Sequence, residues 1–103
     1  MKKTIAGTEV EVNEEGYLVS MSDWNPGIAA AIAAEEGIPS LTDKHMQVLQ
    51  YLRQQQSAGV ALTIRGVGKS NVVTVKELYD LFPGGPLKKS SKIAGIPKPV
   101  GCI

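Results

Sequence analysis

A chain of 103 residues, 43% hydrophobic and 20% charged, suits one domain around one modest core and excludes a disordered or low-complexity polymer. The net charge of +1 hides an asymmetry: residues 1–63 carry eight acids and four bases, residues 64–103 seven bases and two acids, with no acid after Asp80. No apolar run approaches the roughly 18 residues a membrane helix needs, and Lys2-Lys3 without a following apolar stretch does not make a secretory signal.

The first elements read as β. Thr8-Glu9-Val10-Glu11-Val12 alternates, Asn13-Glu14-Glu15-Gly16 has turn chemistry, and Tyr17-Leu18-Val19 is expected to return as the partner strand. A shorter strand at Thr4-Ile5, turning through Ala6-Gly7, pairs in front of it. From Asn25 the pattern is helical: Asn25 is a good N-cap, Pro26 suits the first helical position, and Gly37 with Pro39 stops the alanine-rich run that follows. A second helix opens at Thr42 and runs to about Ser57, with Leu41, His45, Val48, Leu49 and Leu52 forming one apolar stripe.

Val60 to Ile64 fits either a strand or part of a short helix, and Gly66-Val67-Gly68 favours a loop. Thr74-Val75-Lys76-Glu77 is a capping box that opens a third helix, with Leu78, Leu81 and Phe82 facing inward. Pro83-Gly84-Gly85 breaks it, Pro86 starts a fourth, and Gly95 closes that one. The tail from Ile96 to Ile103 has no helical or strand period, and its two prolines favour an extended path. The expected fold class is mainly α: a small helical bundle with helix-turn-helix-like elements, an N-terminal β-hairpin and an extended C-terminal arm. Residues 1–94 are expected to be the globular domain and residues 95–103 a flexible arm.

Most candidate chemistry dissolves on inspection. Thr63 to Ser70 reads TIRGVGKS and ends like a phosphate-binding loop, but Thr63 stands where a glycine is required. His45 is the one histidine and falls on the apolar stripe, so it is expected to be a core residue, with no histidine-based metal site. Trp24 is expected to anchor packing between hairpin and helices. Asp23, Glu35, Glu36 and the other carboxylates form no pair suited to acid–base catalysis, and no cofactor is expected.

Cys102 is different. It is the one cysteine of the chain, so it cannot close an internal disulfide, which agrees with a reducing cytoplasm. It is the penultimate residue, it follows glycine, and it ends a segment too polar and proline-rich to be core. Nine residues at about 3.1 Å each reach roughly 28 Å from the last helix, enough to enter another protein's active site. Thiolate attack and sulfur hand-over suit such a group, given a pKa lowered from about 8.5 by lysines or by a partner. Lys88, Lys89, Lys92 and Lys98 stand near this arm in sequence. They fit either a solvated helix face or a docking patch for an acidic partner or RNA phosphates.

Phe82-Pro83-Gly84-Gly85-Pro86, followed by Lys92-Ile93-Ala94-Gly95-Ile96-Pro97-Lys98-Pro99-Val100-Gly101-Cys102-Ile103, resembles the signature of the DsrC/TusE family. That family comprises the gamma subunit of dissimilatory sulfite reductase and the TusE sulfur-relay protein. Asn13 to Val19, Asp23-Trp24-Asn25, Glu35 to Ile38 and Leu52-Arg53 resemble it as well. The resemblance implies a helical DsrC-like fold with a mobile arm, and it assigns Cys102 as the sulfur-bearing residue. It also implies protein partners: a TusBCD-like (DsrEFH-like) sulfur donor and a tRNA thiolase, with tRNA involved indirectly, or alternatively sulfite reductase.

Two departures stand out. DsrC proteins carry a second cysteine upstream of the first with ten residues intervening, and here that position is Ser91. An internal disulfide, and trisulfide chemistry that depends on it, is thereby closed to this chain. The other departure is Gly66-Val67-Gly68 after Arg65, where the family has bulkier residues; Arg65 is a candidate for holding the arm's anionic sulfur. The leading expectation is a one-cysteine, TusE-like persulfide carrier, a sulfurtransferase component serving tRNA 2-thiouridine synthesis. The alternative is a DsrC-type adaptor of sulfite reductase or a related complex. A helix-turn-helix regulator of DNA is opposed by the glycine-rich loop and the lack of a basic base-reading face.

Overall fold

The computed structural model describes residues 1–60 and 62–97; Lys98, Cys102 and the path of the tail beyond Pro97 lie outside the described residues. Strands β1 (Lys2–Ile5) and β2 (Thr8–Glu11) form an antiparallel hairpin in which Ile5 faces Thr8 and Lys3 faces Val10. Its two-residue turn, Ala6-Gly7, has positive φ at both positions, 53° and 76°, as the twist of a tight hairpin requires. Alternation along β2 sends Val10 into the core while Glu9 and Glu11 stay outside.

The alternation predicts residues 17–19 as the main return strand, but only an isolated bridge joins Val12 to Leu18. The cause is Asn13, whose Oδ1 accepts the N–H groups of both Glu15 and Tyr17 at 2.9 and 3.0 Å. The Asx turn consumes a donor that a longer ladder would need. Tyr17 and Leu18 are both buried, so no alternation follows.

The helices follow their caps. Helix α1 (Pro26–Glu35) starts where Asn25 Oδ1 accepts the Ile28 N–H at 2.9 Å, and it buries Ile28, Ala29, Ile32 and Ala33. Helix α2 (Asp43–Ser57) buries His45, Val48, Leu49 and Leu52, the stripe expected from their spacing. Helix α3 (Ile64–Gly68) occupies the segment where glycines favour a loop. Thr63 Oγ1 caps it by accepting the Gly66 N–H at 2.9 Å, and burial of Val67 holds it down. Gly68 is there for space: a Cβ would collide with Val75 Cγ2 and sit 3.2 Å from the Val75 backbone nitrogen.

Helix α4 (Val75–Leu81) carries the predicted Thr74–Glu77 capping box. Helix α5 (Pro86–Ile93) packs on α1, α2 and α4 and is the centre of the core, with Leu87, Ser90, Ser91 and Ile93 fully buried. The core is therefore helical and the hairpin covers one side of it through α1. Among the described residues, no helix is long and apolar enough to cross a membrane.

Candidate functional site

The tail that carries Cys102 begins where α5 ends, and that end is tightly held. Gly95 N–H donates to Lys92 O and Ile96 N–H to Ser91 O, both at 3.2 Å, which is a Schellman motif with Gly95 at φ 71°. Ile96 is fully buried, so the core extends two residues beyond Ala94, and Pro97 is the first exposed residue. Gly95 also lies against an indole: a Cβ there would stand 2.5 Å from Trp24 Cδ1 and 3.0 Å from Leu18 Cδ1.

Two side chains from distant elements take the remaining carbonyls. Trp24, in the turn before α1, donates its Nε1–H to Ile93 O at 2.8 Å. Arg53, on α2, donates from Nη1 to Ala94 O and from Nη2 to Met21 O, each at 2.9 Å. The guanidinium also stacks over the Trp24 ring, 4.4 Å from its centroid, where the ring face attracts a cation. Burial lowers the Arg53 pKa from its ordinary value. Trp24 is thus an anchor, as expected, but one that grips the root of the tail. The sequence offered Arg53 only through the family resemblance, because its carbonyl partner lies 41 residues away.

One turn back lies Ser91, at the position where the family resemblance implies a second cysteine. It is fully buried, and its Oγ has no hydrogen-bond partner among the described residues, whereas neighbouring Ser90 Oγ donates to Leu87 O at 3.1 Å.

The lysines divide. Lys89 Nζ donates to Glu36 O at 3.2 Å and Lys92 Nζ lies 3.7 Å from Glu36 Oε1, so both brace the C-terminus of α1. The run of bases without a following acid is therefore partly neutralised by an acid from the other half of the chain. Lys88 is exposed; its backbone oxygen accepts the Tyr17 hydroxyl at 3.2 Å. Burial, reinforced by Glu15 and Glu36, pushes the Tyr17 phenol up to about 12.

Arg65 is exposed on α3, in an open cleft of about 620 Å³ lined with Thr63, Ile64 and Val75. Helix α3 packs on α4, so Arg65 is not gathered onto α5 with the lysines. The TIRGVGKS segment is a capped helical turn with Lys69 at its C-cap, not a strand-to-helix phosphate loop. His45 is structural: Nδ1 accepts the Thr42 N–H at 3.1 Å, Nε2 bonds Leu81 O at 2.9 Å, and the ring meets Phe82 edge-on at 5.2 Å.

Comparison with known proteins agrees with this architecture. The family profile described as "DsrC like protein" matches residues 4–103. The dissimilatory-type sulfite reductase gamma subunit of Nitratidesulfovibrio vulgaris is 36% identical, over 97% of this chain and 96% of its own. The sulfurtransferase TusE of Escherichia coli K12 is 39% identical, over 94% and 95% respectively. Among solved structures, a crystal structure titled dissimilatory sulfite reductase I (DsrI) superposes with a TM-score of 0.86 at 35% identity, covering all of both chains. The solution structure of Allochromatium vinosum DsrC superposes with a TM-score of 0.79 at 37% identity, again covering both chains fully. With the profile spanning hairpin, helices and tail, and with solved structures sharing the fold, the chain belongs to the DsrC-like family of sulfur-relay proteins and sulfite reductase gamma subunits.

Proposed function

We propose that the protein is a one-thiol sulfur carrier. Cys102 Sγ, as thiolate, attacks the outer sulfur of a donor persulfide. The new bond joins Sγ to that sulfur, the donor's S–S bond breaks, and the donor leaves as a thiolate, with no net oxidation. Attack by an acceptor on the same outer sulfur then regenerates the Cys102 thiolate.

The observation that carries this reading is Ser91. A buried hydroxyl stands where an internal redox partner for Cys102 would be, and the chain has no other cysteine, so its sulfur chemistry runs between molecules. The TusE relatives support a role in a relay, and by extension a TusBCD-like (DsrEFH-like) donor and a tRNA thiolase as acceptor in the cytoplasm, where free thiols persist. Of the basic residues near the arm or the α3 cleft, exposed Lys88 and Arg65, together with Lys98, are the ones left to meet acidic surfaces of those partners; Lys89 and Lys92 are engaged with Glu36. The similarity to a sulfite reductase gamma subunit favours a second reading, an adaptor that presents Cys102 to a sulfite reductase.

Incubation with a protein persulfide followed by intact-mass measurement tests the carrier reading. Wild type should gain one sulfur atom and Cys102→Ser none. Equal gain by both would refute it. A thiolase and a sulfite reductase, offered separately, distinguish the two readings: a carrier loses its outer sulfur to the acceptor of the thiolase, whereas an adaptor binds the sulfite reductase in a pull-down.

A further inference from the structure

At the end of a helix the last carbonyls usually face water. At the end of α5 none is left over. Ser90 O accepts from Ala94 N–H, Ser91 O from Ile96 N–H and Lys92 O from Gly95 N–H, while Ile93 O takes Trp24 Nε1–H and Ala94 O takes Arg53 Nη1. Burial of Ile96 and the Schellman bonds already suffice to end the helix. The indole and the guanidinium add two bonds from two other segments, and Arg53 also bonds Met21 O in the turn that carries Trp24. Trp24 packs against the core and Arg53 is partly buried, but apolar packing alone does not call for the two hydrogen bonds they donate to Ile93 O and Ala94 O.

We infer that Trp24 and Arg53 are positioning residues for sulfur transfer: they fix the direction in which the chain leaves the domain at Pro97 and so aim Cys102 at a docked partner. The inference rests on the carrier reading above. Six residues from Pro97 to Cys102 span at most about 22 Å, at 3.3–3.6 Å per residue when fully extended. Prolines at 97 and 99 restrict φ at two of those six positions. A tether this short keeps its tip within a limited distance of its root, so the position and direction of the root set the volume the tip can sample. When the root is loosened, the same thiol samples a larger volume and its effective concentration at the partner's sulfur falls. The reactivity of Sγ does not change.

The test separates aim from chemistry. Arg53→Met keeps the aliphatic stem and removes the cation with both bonds; Trp24→Phe keeps an aromatic ring and removes the Nε1–H. Gly95→Ala approaches from the other side, since its Cβ would displace the indole. Spin labels on Cys102 and on an introduced Gln50→Cys, at an exposed site on α2, report the spread of tail positions. The distance distribution should widen about twofold in each variant that retains a cooperative thermal transition. In unlabelled protein, KM for the partner persulfide protein should rise about tenfold while kcat stays within about twofold. Loading by a small-molecule persulfide should keep its wild-type rate. An unchanged distribution overturns the inference, and so does a widened one with unchanged KM, or a rise in KM without widening. If wild type takes up no sulfane sulfur, the carrier reading fails, while the label distances still decide whether Trp24 and Arg53 hold the root.

Discussion

Ser91 allows a sharp energetic test, because Ser90 beside it is an internal control. Both are fully buried on α5, and replacement of either by alanine gains the same intrinsic helix propensity, about 0.5 kcal/mol. They differ in their hydroxyls. Ser90 Oγ donates to Leu87 O, and loss of such a bond costs about 1 kcal/mol net, so Ser90→Ala should come out near neutral. Ser91 Oγ has no partner among the described residues, and an unsatisfied buried hydroxyl costs roughly 1–3 kcal/mol. Ser91→Ala should therefore be more stable than wild type by about 1–2 kcal/mol, less a few tenths for the small void left by the oxygen. Urea unfolding with a common slope measures this directly; at about 1–2 kcal/mol per molar the midpoint of Ser91→Ala should lie near 1 M above that of Ser90→Ala. If Ser91→Ala is no more stable than Ser90→Ala, the hydroxyl is satisfied and the reasoning fails. Ser91→Cys extends the test to sulfur chemistry. A thiol buries as a small hydrophobe, so the variant should be at least as stable as wild type. An alkylating reagent should modify Cys102 rapidly and the thiol at 91 only slowly.

Three further outcomes follow from the geometry. Ala6→Asn should stabilise the hairpin by about 0.5–1 kcal/mol, since asparagine tolerates the positive φ of that turn better than alanine; thermal unfolding measures it. Gly68→Ala should destabilise by about 1–3 kcal/mol as α3 is pushed off α4, and a paired Gly68→Ala, Val75→Ala variant should recover part of that loss. Folding raises the Tyr17 pKa from 10.0 to about 12, so Tyr17 contributes stability that is fully present below pH 10.0 and is lost as the pH climbs through 12. Melting temperatures across that alkaline window should fall less steeply for Tyr17→Phe than for wild type.

What the sequence shows of this molecule divides by range. Asn25, Thr42 and Thr74 announce their helices because a cap bonds a backbone group only three residues away. The α2 stripe is equally legible, since one buried face imposes its period on the chain. Gly66-Val67-Gly68 misleads because glycine's weak helix preference is a local quantity, while the burial of Val67 and the approach of Val75 to Gly68 are set by packing that a window of residues does not contain. The hairpin misleads for the opposite reason: Asn13 Oδ1 takes the Tyr17 N–H locally, so that only the Tyr17 carbonyl is left in the ladder that alternation predicts.

The site shows the same division. Cys102 stands out by position and composition alone, and the empty partner position at Ser91 by comparison with a family pattern. The grip of Trp24 and Arg53 on Ile93 and Ala94 crosses 69 and 41 residues and has no local signature. An arginine that ends an apolar helical stripe reads as a solvated charge; here its two nitrogens replace water at two carbonyls that would otherwise compete for it. The thiol that does the proposed chemistry is therefore written in the tail, and its aim is written in a contact between the turn before α1, α2 and the end of α5. A substitution at Arg53 would leave every residue of the tail unchanged and alter where the sulfur arrives.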